Sequence, residues 1–133
     1  MKQYLPFAVL LSLTLLPGCA FDITQHSQRV PLKADQSGEL LILPKDVQLS
    51  LPGGLFIRKL EQGSTWQAVG DLPQGRVYRS VGRVLMVGSR RSGSTHEAFL
   101  VVAQRAVIGV YLPVEEALIT SERSVPLTNG RTS

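Results

Sequence analysis

Ala98-Phe99-Leu100-Val101-Val102-Ala103-Gln104-Arg105-Ala106-Val107-Ile108-Gly109-Val110-Tyr111-Leu112 is the stretch on which the architecture turns. Two apolar arms, rich in Val and Ile, flank the short break Ala103-Gln104-Arg105. Each arm is shorter than an ordinary helix and reads as a strand, so together they predict a hairpin. Strands apolar at nearly every position cannot turn either face to water, which places this hairpin at the centre of a sheet. Pro113, with no backbone N–H to give to a ladder, ends the second arm.

Working toward the N-terminus, Arg76 to Gly88 carries the longest β signal, and Gly82 inside it predicts a bulge or tight bend between two halves. Asp71-Leu72-Pro73-Gln74-Gly75 and Gln62-Gly63-Ser64 have loop composition, and Thr65 to Val69 forms a strand between them. Leu55 to Glu61 predicts a strand with Phe56 and Leu60 on one face. Val47, Leu49 and Leu51 alternate cleanly, and Glu39 to Leu43 is a short apolar run stopped by Pro44. On the C-terminal side, Pro113 followed by Glu115 and Glu116 suits a helix N-terminus and also an edge strand kinked at proline; a helical turn is expected. Residues 121–133 are polar and are expected to fray. The sum is an all-β domain over residues 39–120, a small antiparallel β-sandwich or barrel of seven to eight short strands with meander connections and at most one short helical turn near 113–118.

The first residues answer a different question. Lys2 precedes an apolar run, Leu5 to Leu16, interrupted only by Pro6, Ser12 and Thr14. That is a charged region followed by a hydrophobic segment of secretory length, short of the ~20 apolar residues of a membrane-spanning helix. The run stops at Leu16-Pro17-Gly18-Cys19, which contains the single cysteine of the chain. These four residues resemble the lipobox of bacterial lipoproteins, with Leu three places before Cys and a small residue just before it; Pro17 stands where that class more often has Ala, Ser or Thr. The resemblance implies that residues 1–18 are a signal peptide, that the Cys19 thiol receives a diacylglycerol, and that the new amino terminus is acylated. One acyl chain binds a bilayer reversibly, whereas two or three hold it for good, at ~0.8 kcal/mol per buried methylene. Ala20 follows the cysteine where an aspartate would favour inner-membrane retention, so the same analogy implies the periplasmic face of the outer membrane. Residues 19–38, polar and without periodicity, are expected to form a flexible tether that pairs at most briefly around Arg29-Val30-Pro31-Leu32.

Removing the leader leaves 115 of 133 residues, one domain, and the loss of Lys2 lowers the formal net charge from +4 to +3. An exported chain of this charge meets phospholipid head groups, lipopolysaccharide and peptidoglycan rather than nucleic acid. With Cys19 committed to lipid there is no disulfide, and the core alone holds the fold.

Little catalytic chemistry is legible. The two histidines, His26 and His96, have no metal-ligand spacing around them, so neither a metal nor a cofactor is expected. Ser94, His96 and Glu97 lie close in sequence without a recognisable nucleophile frame, and ordinary surface is the expectation there. Arg90, Arg91, Ser92 and Ser94 in the loop from Ser89 to Thr95 combine forked donors with hydroxyls and form a candidate anion- or partner-binding loop. Arg79 and Arg83 extend it as a basic stripe if Gly82 does not reverse them. Trp66, Tyr78 and Tyr111 are candidates for a sugar-stacking surface, but Trp66 and Tyr111 are more simply core or half-buried strand residues. The expected function is a non-catalytic interaction module of an envelope assembly for biogenesis, secretion or pilus formation, with a protein partner. The alternative is a lipid-tethered inhibitor or binder of anionic envelope components. Ser92-Gly93-Ser94 resembles, over a few residues only, the loop of small lipoproteins that block lysozyme, and the cysteine pairs of those domains are missing.

Overall fold

The computed structural model describes residue 23 and residues 25–128. Residues 1–18, expected above to be a signal peptide, and Cys19 lie outside the described residues. Among the described residues the domain is all-β, with eleven strands in two antiparallel sheets: β1 (Gln28–Arg29), β2 (Lys33–Ala34), β3 (Leu40–Ile42), β4 (Leu55–Ile57), β5 (Thr65–Leu72), β6 (Gly75–Ser80), β7 (Met86–Ser89), β8 (Thr95–Glu97), β9 (Phe99–Ala103), β10 (Ala106–Leu112) and β11 (Ala117–Pro126). The larger sheet runs β1-β11-β10-β9-β6-β5-β2, with β3 also on β5; the smaller runs β4-β7-β8.

The hairpin that the sequence places at the centre is there, β9 and β10, with β6 and β11 outside it. Its turn is the two residues Gln104 and Arg105, both left-handed at φ +52° and +64°. That geometry matches the right-handed twist of the flanking strands. Alternate residues supply the two faces. Leu100, Val110 and Ile119 join the main core with Leu43, Val47, Leu49, Leu51 and Leu85, while Val77, Val101, Tyr111 and Leu118 form a second cluster on the opposite face. Gly109 sits at a bulge where a Cβ would lie 2.2 Å from the Ile119 carbonyl oxygen, so the close approach of β11 requires glycine there.

The second cluster is covered by the segment expected to be a tether. β1 pairs with β11 and β2 pairs with β5, the far edge of the same sheet, yet only residues 30–32 lie between them. In a flat sheet the six steps from β1 to β2 would span ~28 Å. The chain from Arg29 to Lys33 can reach at most ~14 Å. The sheet is therefore curled until its edges nearly meet, and residues 28–34 strap the seam. Val30 is buried in the second cluster, its N–H donates to the Glu116 carbonyl at 2.9 Å, and its carbonyl accepts from the Tyr111 hydroxyl at 2.6 Å. The loop that follows is tied by Arg76, whose guanidinium pairs with Asp35 and, at 3.0 Å, with Asp71. Glu39 Oε1 stands 3.0 Å from Arg76 Nε without the alignment of a hydrogen bond.

Other expectations need correction. The N-terminal boundary at residue 39 is too late, because β1 and β2 are integral to the sheet. The tail expected from residue 121 begins as strand: β11 continues to Pro126, pairing with β10, and Glu122 N–H donates to the Ser50 carbonyl. Residues 113–116 form the turn of the β10–β11 hairpin, with Glu116 at φ +54°, and not a helical turn. Phe56 and Leu60 do not share a face: β4 ends at Ile57, Leu60 turns into the core against Val47, and Phe56 is exposed. Gly82, at φ +100°, marks the place where the chain leaves the large sheet for the small one.

Candidate functional site

The small sheet carries the predicted loop. β7 and β8 pair through Val87 and His96, and the chain between them closes with Ser89 N–H to the Ser94 carbonyl (2.9 Å) and Gly93 N–H to the Ser89 carbonyl (2.8 Å). Gly93 takes φ +75° in this tight turn. Arg90 N–H donates to the Gly54 carbonyl at 3.0 Å, fixing the loop to the turn before β4.

Side chains then form a chain of contacts. Ser92 Oγ and Ser94 Oγ are 2.8 Å apart, Ser94 Oγ is 3.2 Å from His96 Nε2, and His96 Nδ1 is 2.7 Å from Glu115 Oε2. Glu115 comes from the β10–β11 turn. With Nδ1–H donating to the carboxylate, Nε2 is left to accept the Ser94 proton. This is the connectivity of a nucleophile, a base and an orienting acid. An acyl-transfer site also needs free N–H donors where an oxyanion would form. Here the N–H groups of Ser92, Gly93 and Ser94 are spent inside the loop: Ser92 N on Ser89 Oγ and Ser94 N on Ser92 Oγ, both at 3.3 Å, with Gly93 N on the Ser89 carbonyl. The arrangement clips the hairpin loop to the neighbouring turn.

Arg90, Arg91, Ser92 and Ser94 thus share one loop, as expected, but the two serine hydroxyls face each other and His96. The acid is Glu115, not Glu97, which lies beside Met86 on the other face of β8. Sequence reasoning missed Glu115 because nothing local brings position 115 to position 96. Arg79 and Arg83 do not form a stripe. Arg79 reaches Gln67 Oε1 at 3.3 Å from β6, whereas Arg83 lies beyond the Gly82 bend and lines a separate hollow. Trp66, Tyr78 and Tyr111 are buried in the two clusters and offer no stacking surface.

The outward face of the small sheet is apolar at its centre. Register places Phe56 opposite Gly88, and Met86 two residues along on the same face. Phe56 is 44 % exposed and Met86 42 %. The Phe56 ring lies over Gly88, where a Cβ would come within 2.5 Å of the ring, and the Arg90 guanidinium sits 4.9 Å above the ring centroid. β4 and β8 are both edges of this sheet. Among the described residues no helix is long and apolar enough to cross a membrane, and no cluster of His, Cys, Asp and Glu could hold a metal ion.

Comparison of the chain with protein-family models, with curated proteins and with solved structures finds no match in any of the three.

Proposed function

We propose that this chain is a lipid-anchored accessory module of the bacterial cell envelope, without catalysis of its own, which docks a protein partner through the outward face of the three-stranded sheet. The lipobox-like Leu16-Pro17-Gly18-Cys19 supports the anchor and, with Ala20 behind it, the periplasmic face of the outer membrane. The observation that carries the docking role is the Phe56–Met86 stripe. Two large apolar side chains stand in solvent on an outward sheet face, held in place by the Phe56–Gly88 contact and bordered by the Arg90 charge. Exposed aromatic, methionine and arginine side chains are the residue types that anchor protein interfaces, and the two sheet edges beside them present backbone groups to an added strand. The partner is an envelope protein that offers an apolar strand with an acidic neighbour for Arg90.

The test compares crosslinked outer membranes from cells carrying the wild-type chain and Phe56→Ser/Met86→Ser. A specific envelope protein should co-purify with the wild type and be lost with the double variant, while Val114→Ser, an exposed apolar residue outside the small sheet, keeps it. Retention by the double variant removes the docking role. Mass spectrometry of the same material should show diacylglycerol on Cys19 and no residues 1–18; a bare thiol removes the anchor.

A further inference from the structure

Where the two sheets diverge, between the end of β4, the start of β5 and the Gly82 bend, lies an open hollow of about 350 Å³. Arg58, Lys59 and Arg83 line it, with Glu61 as the lining carboxylate. Lys59 is partly neutralised by Asp46 at 3.4 Å. Neither Arg58 nor Arg83 has a hydrogen-bond or ion-pair partner among the described residues, and the same holds for the hydroxyl of Ser80, which the register places on the same sheet face as Trp66. Ser64 is committed, accepting from Trp66 Nε1 at 3.0 Å and donating to the Glu61 carbonyl at 2.6 Å.

We infer that this hollow binds a phosphomonoester group, a ligand site that goes beyond the docking role. Two unpaired guanidinium forks and one unpaired hydroxyl belong to residues that line one concave space, and the cations lining it outnumber the carboxylates. A phosphomonoester brings close to two negative charges and three acceptor oxygens, enough to occupy both forks at once. A single carboxylate offers two oxygens and one charge and would leave one fork unfilled. The volume is at the lower end of ligand pockets and admits a phosphate with a body the size of a sugar or a glycerol. That group can belong to a soluble sugar phosphate or to a lipid head; Val81 and Val84, exposed on either side of Arg83, would face acyl chains in the second case.

Trp66 is the single tryptophan of the chain and forms part of the wall, so its emission reports on the hollow. The full chain in non-ionic detergent is titrated with glucose 6-phosphate, and separately with mixed micelles containing phosphatidic acid, with calorimetry in parallel so that a silent indole is not mistaken for absent binding. At least one phosphorylated probe should bind saturably, and the tighter of the two identifies the source. Arg58→Ala/Arg83→Ala should weaken that binding at least tenfold with an unchanged circular dichroism spectrum, while Arg79→Ala, outside the hollow, binds as the wild type. The inference is overturned if neither phosphorylated probe binds. It is equally overturned if the double variant binds within twofold of the wild type, if glucose binds as well as glucose 6-phosphate, or if micelles of phosphatidylcholine alone, whose phosphate is a zwitterionic diester, bind as well as those containing phosphatidic acid.

Discussion

Tyr111 makes a hydrogen bond that no apolar side chain of its size could make. Its hydroxyl, in a buried residue, donates at 2.6 Å to the carbonyl of Val30, just past the end of β1, a strand that is not a neighbour of β10 in the sheet. Tyr111→Phe keeps the ring and strands the carbonyl, so unfolding in urea should show a loss of ~1–2 kcal/mol with an unchanged m-value. An unchanged midpoint would mean that the strap does not depend on this contact. His96 offers a second residue-scale test. Its bond to Glu115 spans two partly buried groups, and His96→Ala should cost about 1 kcal/mol and loosen the loop around Ser92. Because the loop N–H groups are occupied, a fluorophosphonate should leave Ser94 unlabelled; stoichiometric labelling that disappears in His96→Ala would instead make Ser94 a nucleophile. Burial itself was legible for Leu100, Val110 and Tyr111, since apolar side chains on two-faced strands have nowhere else to go. The Ser94–His96–Glu115 contact was not, because it joins positions whose nearness is a product of the finished fold.

At the scale of elements, the sequence identified the long, apolar, central strands and missed the polar ones at the margins. β9 and β10 advertise themselves because both faces are buried. β1 and β2 are two residues each with exposed side chains, and the outer half of β11 alternates Ser121 with charged Glu122 and Arg123; edge strands are held by backbone pairing, which composition does not record. The strap is also where acid should act first. The Ser37 hydroxyl, with the Ser37 N–H and the Arg76 guanidinium behind it, overcomes desolvation to hold the Asp35 carboxyl below its usual value. A carboxyl lowered on folding stabilises the native state above its unfolded value, near pH ~4, and that contribution is lost as pH falls through the folded value. Hydrogen exchange measured at successively lower pH should therefore show residues 28–38 opening before β9 and β10. Simultaneous loss of protection in both would show that Asp35 and Arg76 do not set the stability of the strap.

For the whole molecule, incorporation of the strap changes where the domain can stand. A tether reaching from Cys19 to residue 38 could lift it by up to ~65 Å at full extension. Packing begins much earlier. Ile23 is buried in the main core, and the His26 ring lies against Gly53 in the turn before β4. Four residue steps separate Cys19 from Ile23, so with the proposed lipid on Cys19 the Ile23 end of the core stands within ~14 Å of the bilayer surface whatever path the intervening residues take. The proposed anchor would confine the module to protein partners near the membrane face, where it gains effective concentration because it explores so little volume. Neutron reflectometry of the lipidated protein on a supported bilayer should accordingly place protein density directly on the head groups, with no water layer thicker than ~15 Å. Inserting ten Gly/Ser residues between Asp22 and Ile23 should open a gap whose r.m.s. size grows by ~15–20 Å, the coil dimension of such a linker. A wild-type gap of several tens of ångströms would mean that Ile23 and the strap are not docked, and with them would go the closed seam on which the curled sheet depends.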